Sequence, residues 1–170
     1  MDLTLEDLSV PFYTPLHNAY ICIGTSFHFY GELNLKYRPD LEKTFVIELL
    51  SYPDVVLHIR FRFHKNYKNY IAINACDFAG FCTSTEKRAK HIPLDDDFHI
   101  EIFVDSGYFK ILVNGKEIAT YNHKFPYQSI KAVGVYGAVI IDKMNIKNNF
   151  GYVVCCSGLS DRRHLCSLIK

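Results

Sequence analysis

The sequence predicts an all-β fold, a sandwich or barrel of about ten to eleven short antiparallel strands. Apolar and polar residues alternate in short stretches, which is the pattern of half-buried strands. Turn residues separate these stretches, and no amphipathic segment reaches the length of about ten residues that indicates a helix. The strands should therefore pair as hairpins around one core.

Length and charge limit the classes of function. The chain has 170 residues, which favours one domain. Its net charge is +1 and its pI is near 7.6, so it lacks the overall positive charge of nucleic-acid-binding proteins. Its first residues include Asp2, Glu6 and Asp7 and lack the regions of a secretory signal. We therefore expect a soluble cytoplasmic protein with no nucleic-acid partner and no membrane insertion.

The cysteines are expected to be reduced. Their even count is compatible with disulfides, but a chain of this size without a secretory signal usually keeps its thiols. No Cys-x-x-Cys pair with matching histidines indicates zinc, and the histidines outside the central stretch described below show no partner arrangement. We therefore predict neither metal nor cofactor. The cysteines are Cys22, Cys76, Cys82, Cys155, Cys156 and Cys166.

The N-terminal part is predicted to be an arm followed by strands. Residues 1–9 form the arm, and the closely spaced prolines after it favour an extended, edge-like entry over a helix. Alternation predicts strands at Ile21–Leu33 and Phe45–Leu50. The turn Ser51–Asp54 then leads into a central stretch, Val55–Arg88, around which the chain is organised.

Strict alternation in the central stretch predicts a strand with one apolar and one cationic face. Arginine offers a planar fork of donors and histidine a ring N–H beside an acceptor, so this face suits a neutral or anionic ligand rich in oxygen. A merely solvated strand face remains the alternative. The cationic face carries His58, Arg60, Arg62 and His64, and the apolar face carries Leu57, Ile59, Phe61 and Phe63.

The next strand adds an amide to the cationic face. Tyr70–Ala75 should pair with the first strand as a hairpin, and Ile71 and Ile73 are its core residues, so Asn74 lies on the polar side. A loop or short strand then follows over residues 77–88. If that segment is extended, its Glu86 and Arg88 share a face because they are two residues apart.

The C-terminal half predicts five more strands. Phe98–Val104 alternates, and Asn114-Gly115 indicates a type I′ turn between Tyr108–Val113 and Lys116–Tyr121. The last two strands are Lys131–Tyr136 and Ala138–Ile146. For residues 147–170 an extra strand, a partner-binding extension and a disordered end all stay open.

Several of these motifs, in this order, resemble the galectin carbohydrate-recognition domain over residues 10–146. The resemblance implies a galectin-like sandwich of two antiparallel sheets, of the jelly-roll or concanavalin-like type, that binds β-galactosides without metal and without catalysis. The motifs in the central stretch are Leu57–Phe63, Ile73-Asn74, Gly80-Phe81 and Glu86-Lys87-Arg88, and those in the framework are Val10-Pro11-Phe12, Val113-Asn114-Gly115-Lys116, Tyr121-Asn122-His123 and Val139-Ile140-Ile141.

The resemblance also implies roles for single residues. His58 and Arg62 match the pair that contacts the axial hydroxyl of galactose, and Asn74 matches the asparagine that holds the primary hydroxyl. Glu86 and Arg88 match the Glu-x-Arg pair that orients the first arginine and reaches the neighbouring sugar.

Three positions depart from the family pattern. Arg60 replaces an asparagine, Phe61 replaces a proline, and Phe81 stands closest to the tryptophan that stacks on galactose. Phenylalanine offers a smaller stacking surface, so affinity should fall. Arg60 places a second guanidinium beside Arg62, which favours an acidic or sulfated glycan, or a site closed by an ion pair with Glu86.

Two functions follow from this pattern. The first is non-enzymatic binding of β-galactoside glycans or glycoconjugates through His58, Arg60, Arg62, Asn74, Phe81, Glu86 and Arg88. The second is a galectin-fold interaction protein that has lost sugar binding. An enzyme is disfavoured because glycoside hydrolysis generally needs two carboxylates and this face offers only Glu86. The resemblance leaves open a homodimer and export by a route that needs no signal peptide.

Overall fold

The computed structural model describes residues 2–16, 19–34, 43–63, 70–87, 92 and 97–148, without the side chains at 43, 63 and 84–87. Within these residues the chain forms strands and one short 3-10 helix, Tyr127–Ser129. The strands are β1 Leu3–Leu8, β2 Phe12–Pro15, β3 Thr25–Leu33, β4 Lys43–Ser51, β5 Asp54–Phe63, β6 Tyr70–Cys76, β7 Cys82–Lys87, β8 Asp97–Val104, β9 Tyr108–Val113, β10 Lys116–Asn122, β11 Ala132–Gly137 and β12 Val139–Asn148.

These strands form two antiparallel sheets of six strands each, which confirms the predicted all-β sandwich. The order in the first sheet is β1-β12-β3-β8-β9-β10, and the order in the second sheet is β2-β11-β4-β5-β6-β7. Both contribute fully buried rings to one core, where Phe27, Phe29 and Phe109 meet Phe45 and Phe61. Burying one such ring stabilises the fold by about 1.5–3 kcal/mol.

The N-terminal residues lie within the sandwich. Part of the predicted arm forms β1, which pairs with β12 from Leu3 opposite Ile146 to Leu8 opposite Ile141. The prolines after the arm belong to or precede β2, and because β2 is the outermost strand of the second sheet, the predicted edge-like entry is confirmed. Residues 149–170 of the predicted C-terminal extension lie outside the described residues.

The Asn-Gly turn forms as predicted. Asn114 has a φ of 49° and Gly115 a φ of 75°, and Val113 pairs with Lys116 across them. Positive φ at both central residues is the requirement of a type I′ turn, which matches the twist of the flanking strands.

The expectation of reduced thiols is wrong for one pair. Cys76 and Cys82 form a disulfide, because the register of β6 and β7 places them directly opposite each other with their Cα atoms 4.1 Å apart. This spacing falls just below the usual range for disulfides. Cys22, the free cysteine of the described part of the chain, is buried.

Candidate functional site

One row of residues runs across all six strands of the second sheet, perpendicular to their direction. Successive Cα partners in this row are Tyr13, Gly134, Glu48, His58, Asn74 and Ser84. Directly opposed residues on antiparallel strands share a face, with Cβ atoms about 4.5–5.5 Å apart. Glu48, His58 and Asn74 therefore form one continuous polar patch.

The faces of β5 follow the alternation in the sequence. Leu57, Ile59 and Phe61 are fully buried in the core, whereas Arg60 and Arg62 are half-buried on the outer side with His58. The predicted cationic face is confirmed for these three residues, and His64 lies outside the described residues. We call the outer surface formed by His58, Arg60, Arg62 and Asn74 the donor face.

His58 is oriented by a carboxylate from β4. Its Nδ1 donates to Oε1 of Glu48 at 2.8 Å, so in the neutral imidazole Nε2 carries the free lone pair. The hydroxyl of Tyr136 donates to the same oxygen at 3.0 Å. Burial of Tyr136, and then the negative charge of Glu48, raise the pKa of its phenol. This three-residue chain fixes the tautomer and the position of His58.

The two arginines have different surroundings. Arg62 donates to the hydroxyl of Tyr70, and its guanidinium carbon lies 5.3 Å from the centre of that ring. Arg60 lies between Val46 and Ala72 in the register and makes no ion pair with a described side chain. Its predicted ion pair with Glu86 stays a prediction.

Asn74 carries an unsatisfied polar atom. Its Oδ1 is buried and accepts no hydrogen bond from the described side chains or backbone. A buried acceptor without a partner costs about 1–3 kcal/mol. A bound molecule or water that reached this amide would remove that cost, so Asn74 is a candidate ligand contact.

Exposed aromatic rings surround the disulfide end of the donor face. Phe81 is 77% exposed and precedes Cys82 in the β6–β7 loop, whose backbone N–H groups at Ala79 and Phe81 donate to Asp77. Cys76 shares the face of Asn74, because residues at even numbers along β6 point outward. The disulfide therefore lies on the donor face, one step beyond Asn74, and Phe81 lies next to it.

The last two predicted site residues are only partly placed. Glu86 belongs to β7 and pairs with Ala72, but its side chain lies outside the described residues. Arg88 also lies outside them. Their roles stay predictions.

Sequence reasoning missed Glu48 and Tyr136. Glu48 is an acidic residue in the apolar strand Phe45–Leu50, and it is only 9% exposed. A lone carboxylate at a polar position of an otherwise apolar strand was the available signal, because a buried charge needs a partner. The identity of that partner depends on the β4–β5 register.

Comparison with known proteins finds similarity to galactoside-binding lectins. The family model described as galactoside-binding lectin matches residues 11–146. A probable galaptin of Caenorhabditis elegans, lec-8, is 36% identical over 124 residues, which are 72% of this chain and 64% of that protein. A second one, lec-7, is 31% identical over 106 residues, which are 62% of this chain and 58% of that protein. The matched segment thus spans less than two thirds of either relative.

Solved structures show the same fold. The crystal structure of the Caenorhabditis elegans galectin LEC-6 superposes with a TM-score of 0.71 at 17% identity, over 85% of this chain and 95% of that one. Sheep galectin-11, in a complex with glycerol, superposes with a TM-score of 0.66 at 15% identity, over 83% and 100% of the two chains.

Among the described residues there is no helix with the length and apolarity that crossing a membrane requires.

Proposed function

Because the chain belongs to the galactoside-binding lectin family, the galectins, we propose that it binds β-galactoside-containing glycans on the donor face of its second sheet. The observation that carries the proposal is the pairing of His58 with Asn74, with Arg62 four residues further along the same face. The family is a non-enzymatic one, so binding alone is the activity proposed.

Hydrogen bonding explains how this face would select a sugar. The free Nε2 of His58 would accept a hydrogen bond from a sugar hydroxyl, and the guanidinium of Arg62 would donate one to the same hydroxyl oxygen. An axial hydroxyl stands out of the sugar ring toward both groups, whereas an equatorial one does not. Glu48 and Tyr70 hold the two side chains in place before the sugar arrives, which reduces the entropy cost of binding.

The apolar side of the galactose ring also needs a contact. The Cys76–Cys82 disulfide is an apolar group one step from Asn74 on this face, and the exposed ring of Phe81 belongs to the residue just before Cys82. A sugar ring placed over Asn74 would meet them at its edge. We therefore assign them as the apolar contact, in the role that tryptophan has elsewhere in the family.

Arg60 favours acidic glycans as ligands of this face. It makes no ion pair with a described side chain and lies two residues from Arg62 on the same face. Like charges at this spacing repel unless an anion lies between them. A sulfate or carboxylate on the galactose would supply that anion and accept a bidentate hydrogen bond.

A lactose titration followed by calorimetry tests the proposal. We expect saturable binding in the wild-type protein and its loss in Arg62→Ala. Lys116→Ala, which removes an exposed cation from the first sheet, should bind as the wild type does. No binding at millimolar lactose by a protein whose circular dichroism is that of a folded β-protein would reject sugar binding.

One observation favours a second function, protein interaction without sugar. Tyr52 is 95% exposed and Phe78 and Phe81 are each 77% exposed. The loops that carry them touch, because the backbone N–H of Phe78 donates to Asp54 at 2.9 Å. Three exposed rings on two adjoining loops are typical of a protein-binding surface. A folded protein that ignores lactose would favour this function.

A further inference from the structure

A second cluster of polar side chains lies on the outer face of the first sheet, on the other side of the sandwich from the donor face. Phe27 and Phe29 of β3 point into the core, so His28 between them points outward. On β8, His99 and Glu101 alternate with the buried Ile100 and point outward too. The proposed sugar site does not include this sheet, and the sequence predicted no partner for either histidine.

The three side chains converge. Nδ1 of His28 and Nε2 of His99 form a hydrogen bond at 2.9 Å, which a bound ion would replace, and the two ring planes are within 17° of each other. Ligating atoms of His28, His99 and Glu101 all lie within 4.8 Å of one another. When His28 carries its proton on Nε2, toward Ser26, and His99 carries its proton on Nδ1, each of the two facing nitrogens has a lone pair that can bind one ion.

Neighbouring groups hold both rings in place. Nε2 of His28 is 2.8 Å from the hydroxyl of the buried Ser26, which leaves Nδ1 as the nitrogen that faces the cluster. The ring of Tyr30 stacks on His99 with centroids 4.4 Å apart and planes 2° apart. Metal-binding histidines commonly have their second nitrogen hydrogen-bonded and their ring orientation fixed in this way.

An unsatisfied oxygen lies beside the cluster. Asn145 pairs directly with His28 across the β3–β12 ladder and so shares its face. It is only 9% exposed, and its Oδ1 has no hydrogen-bond partner in the described part of the chain. Glu101 is the partner of His28 on the opposite side. His28 is therefore flanked by two oxygen-bearing side chains in one row.

We propose that His28, His99 and Glu101 form a binding site for a divalent transition metal ion, with Zn²⁺ as its probe, and that Asn145 contributes an oxygen at its margin. Two imidazoles and a carboxylate suit zinc. In a tetrahedral site with Zn–N bonds of about 2.0–2.1 Å, the two nitrogens stand about 3.3 Å apart. The present 2.9 Å therefore has to widen by only a few tenths of an ångström.

Charge sets the strength of the site. Glu101 provides one negative charge, whereas Lys147 acts electrostatically on both His28 and His99 as a cation. Lys147 lies opposite Ser26 on β12, one step along the strand from His28. The lysine opposes a bound cation, so its removal should strengthen binding. A histidine pair that serves only structure would show no such dependence.

Calorimetric titration with ZnCl₂ tests the proposal on the full-length, tag-free chain. Cys155, Cys156 and Cys166 are replaced by Ser to remove competing thiols. We expect this Ser-substituted chain, the parent of the test, to bind Zn²⁺ at one site. Its affinity for Zn²⁺ should be at least tenfold lower in His99→Gln and in Glu101→Gln. Glu32→Gln removes an exposed carboxylate from the same face of β3 and is the matched control, expected to bind as the parent does. Lys147→Met should bind several-fold tighter.

Two further measurements keep the result decisive. Metal-free thermal unfolding shows whether each variant is folded, and NMR of the parent reports whether the His28 and His99 ring signals shift on zinc addition. Absence of a saturable zinc signal in the parent would overturn the proposal. So would equal affinity in the parent and His99→Gln, or equal losses in Glu101→Gln and Glu32→Gln. Lactose binding is measured separately, so its failure leaves this test intact.

Discussion

His58 and Glu48 are direct partners across β4 and β5, and the imidazole Nδ1 donates to the carboxylate at 2.8 Å. The carboxylate is almost completely buried and touches the donor face only through this bond. In the proposed sugar complex, Glu48 would therefore act through His58 and would make no sugar contact itself.

Replacing Glu48 by Gln should therefore weaken lactose binding without abolishing it. The substitution keeps the shape and an acceptor oxygen but removes the charge, and weakening this hydrogen bond by about 1 kcal/mol corresponds to about fivefold weaker binding. Calorimetry measures the effect. Glu117→Gln, on the exposed side of β10, is the control. Unchanged lactose affinity in Glu48→Gln would show that the orientation of His58 does not matter for binding at the proposed site.

Arg60→Asn, which restores the residue type of the family, should reduce the preference for acidic sugars. The ratio of affinities for sulfated and unsulfated lactose should fall by about tenfold, because hydrogen bonds to charged groups are worth about 1.5–3 kcal/mol. Competition binding at low and at high salt measures this ratio. A preference that survives in Arg60→Asn would assign the anion contact to another residue.

Phe81→Trp should strengthen lactose binding several-fold, because the larger ring offers more stacking surface. Phe78 is its matched control, since both rings are 77% exposed and belong to the same loop. Phe78→Trp should leave the affinity unchanged. If both variants gained equally, general surface hydrophobicity and not a stacking contact would be the cause.

Reduction of the Cys76–Cys82 disulfide should destabilise the protein. The loop closed by this bond spans a separation of only 6 residues, for which the chain-entropy model gives about 2 kcal/mol. That loss corresponds to a decrease in melting temperature of about 4–8 °C. Thermal unfolding with and without a phosphine reductant measures it. The double variant Cys76→Ser/Cys82→Ser should already melt at the lower temperature and ignore the reductant.

Stability should fall at alkaline pH because of Tyr136. Burial, and then Glu48, raise the pKa of this phenol above its ordinary value of 10.0. Its contribution to stability is therefore fully present below pH 10 and is lost as the pH rises through the folded-state pKa. Urea unfolding between pH 8 and 11, compared with Tyr136→Phe, isolates this contribution. Parallel pH profiles for the two proteins would contradict the prediction.

The sequence alone predicted those features that depend on local pattern. Alternation identified the core residues Leu57, Ile59 and Phe61, and Asn114-Gly115 located the hairpin turn. Alternation along the two strands of the central hairpin also placed Asn74 on the face of His58. These features need only the period of a strand and the chemistry of a turn.

Features that depend on register were not predictable. The partner of Glu48 is set by which residue of β5 faces it, and the disulfide forms because Cys76 and Cys82 happen to be opposed in β6 and β7. The closeness of His28 and His99 likewise arises from a diagonal relationship between β3 and β8. One residue of slip in any of these ladders would abolish the contact.

The disulfide also affects which part of the sandwich opens first. β7 is the outermost strand of the second sheet, and such strands normally separate from their neighbours in local fluctuations well below the cost of global unfolding. Here a covalent bond ties β7 to β6 at Cys82. Backbone amides near that end should exchange with solvent slowly, and fraying should be confined to the end of β7 at Lys87. The edge of β6, which would be exposed to strands of other molecules if β7 separated, is thereby kept covered where the proposed sugar would bind.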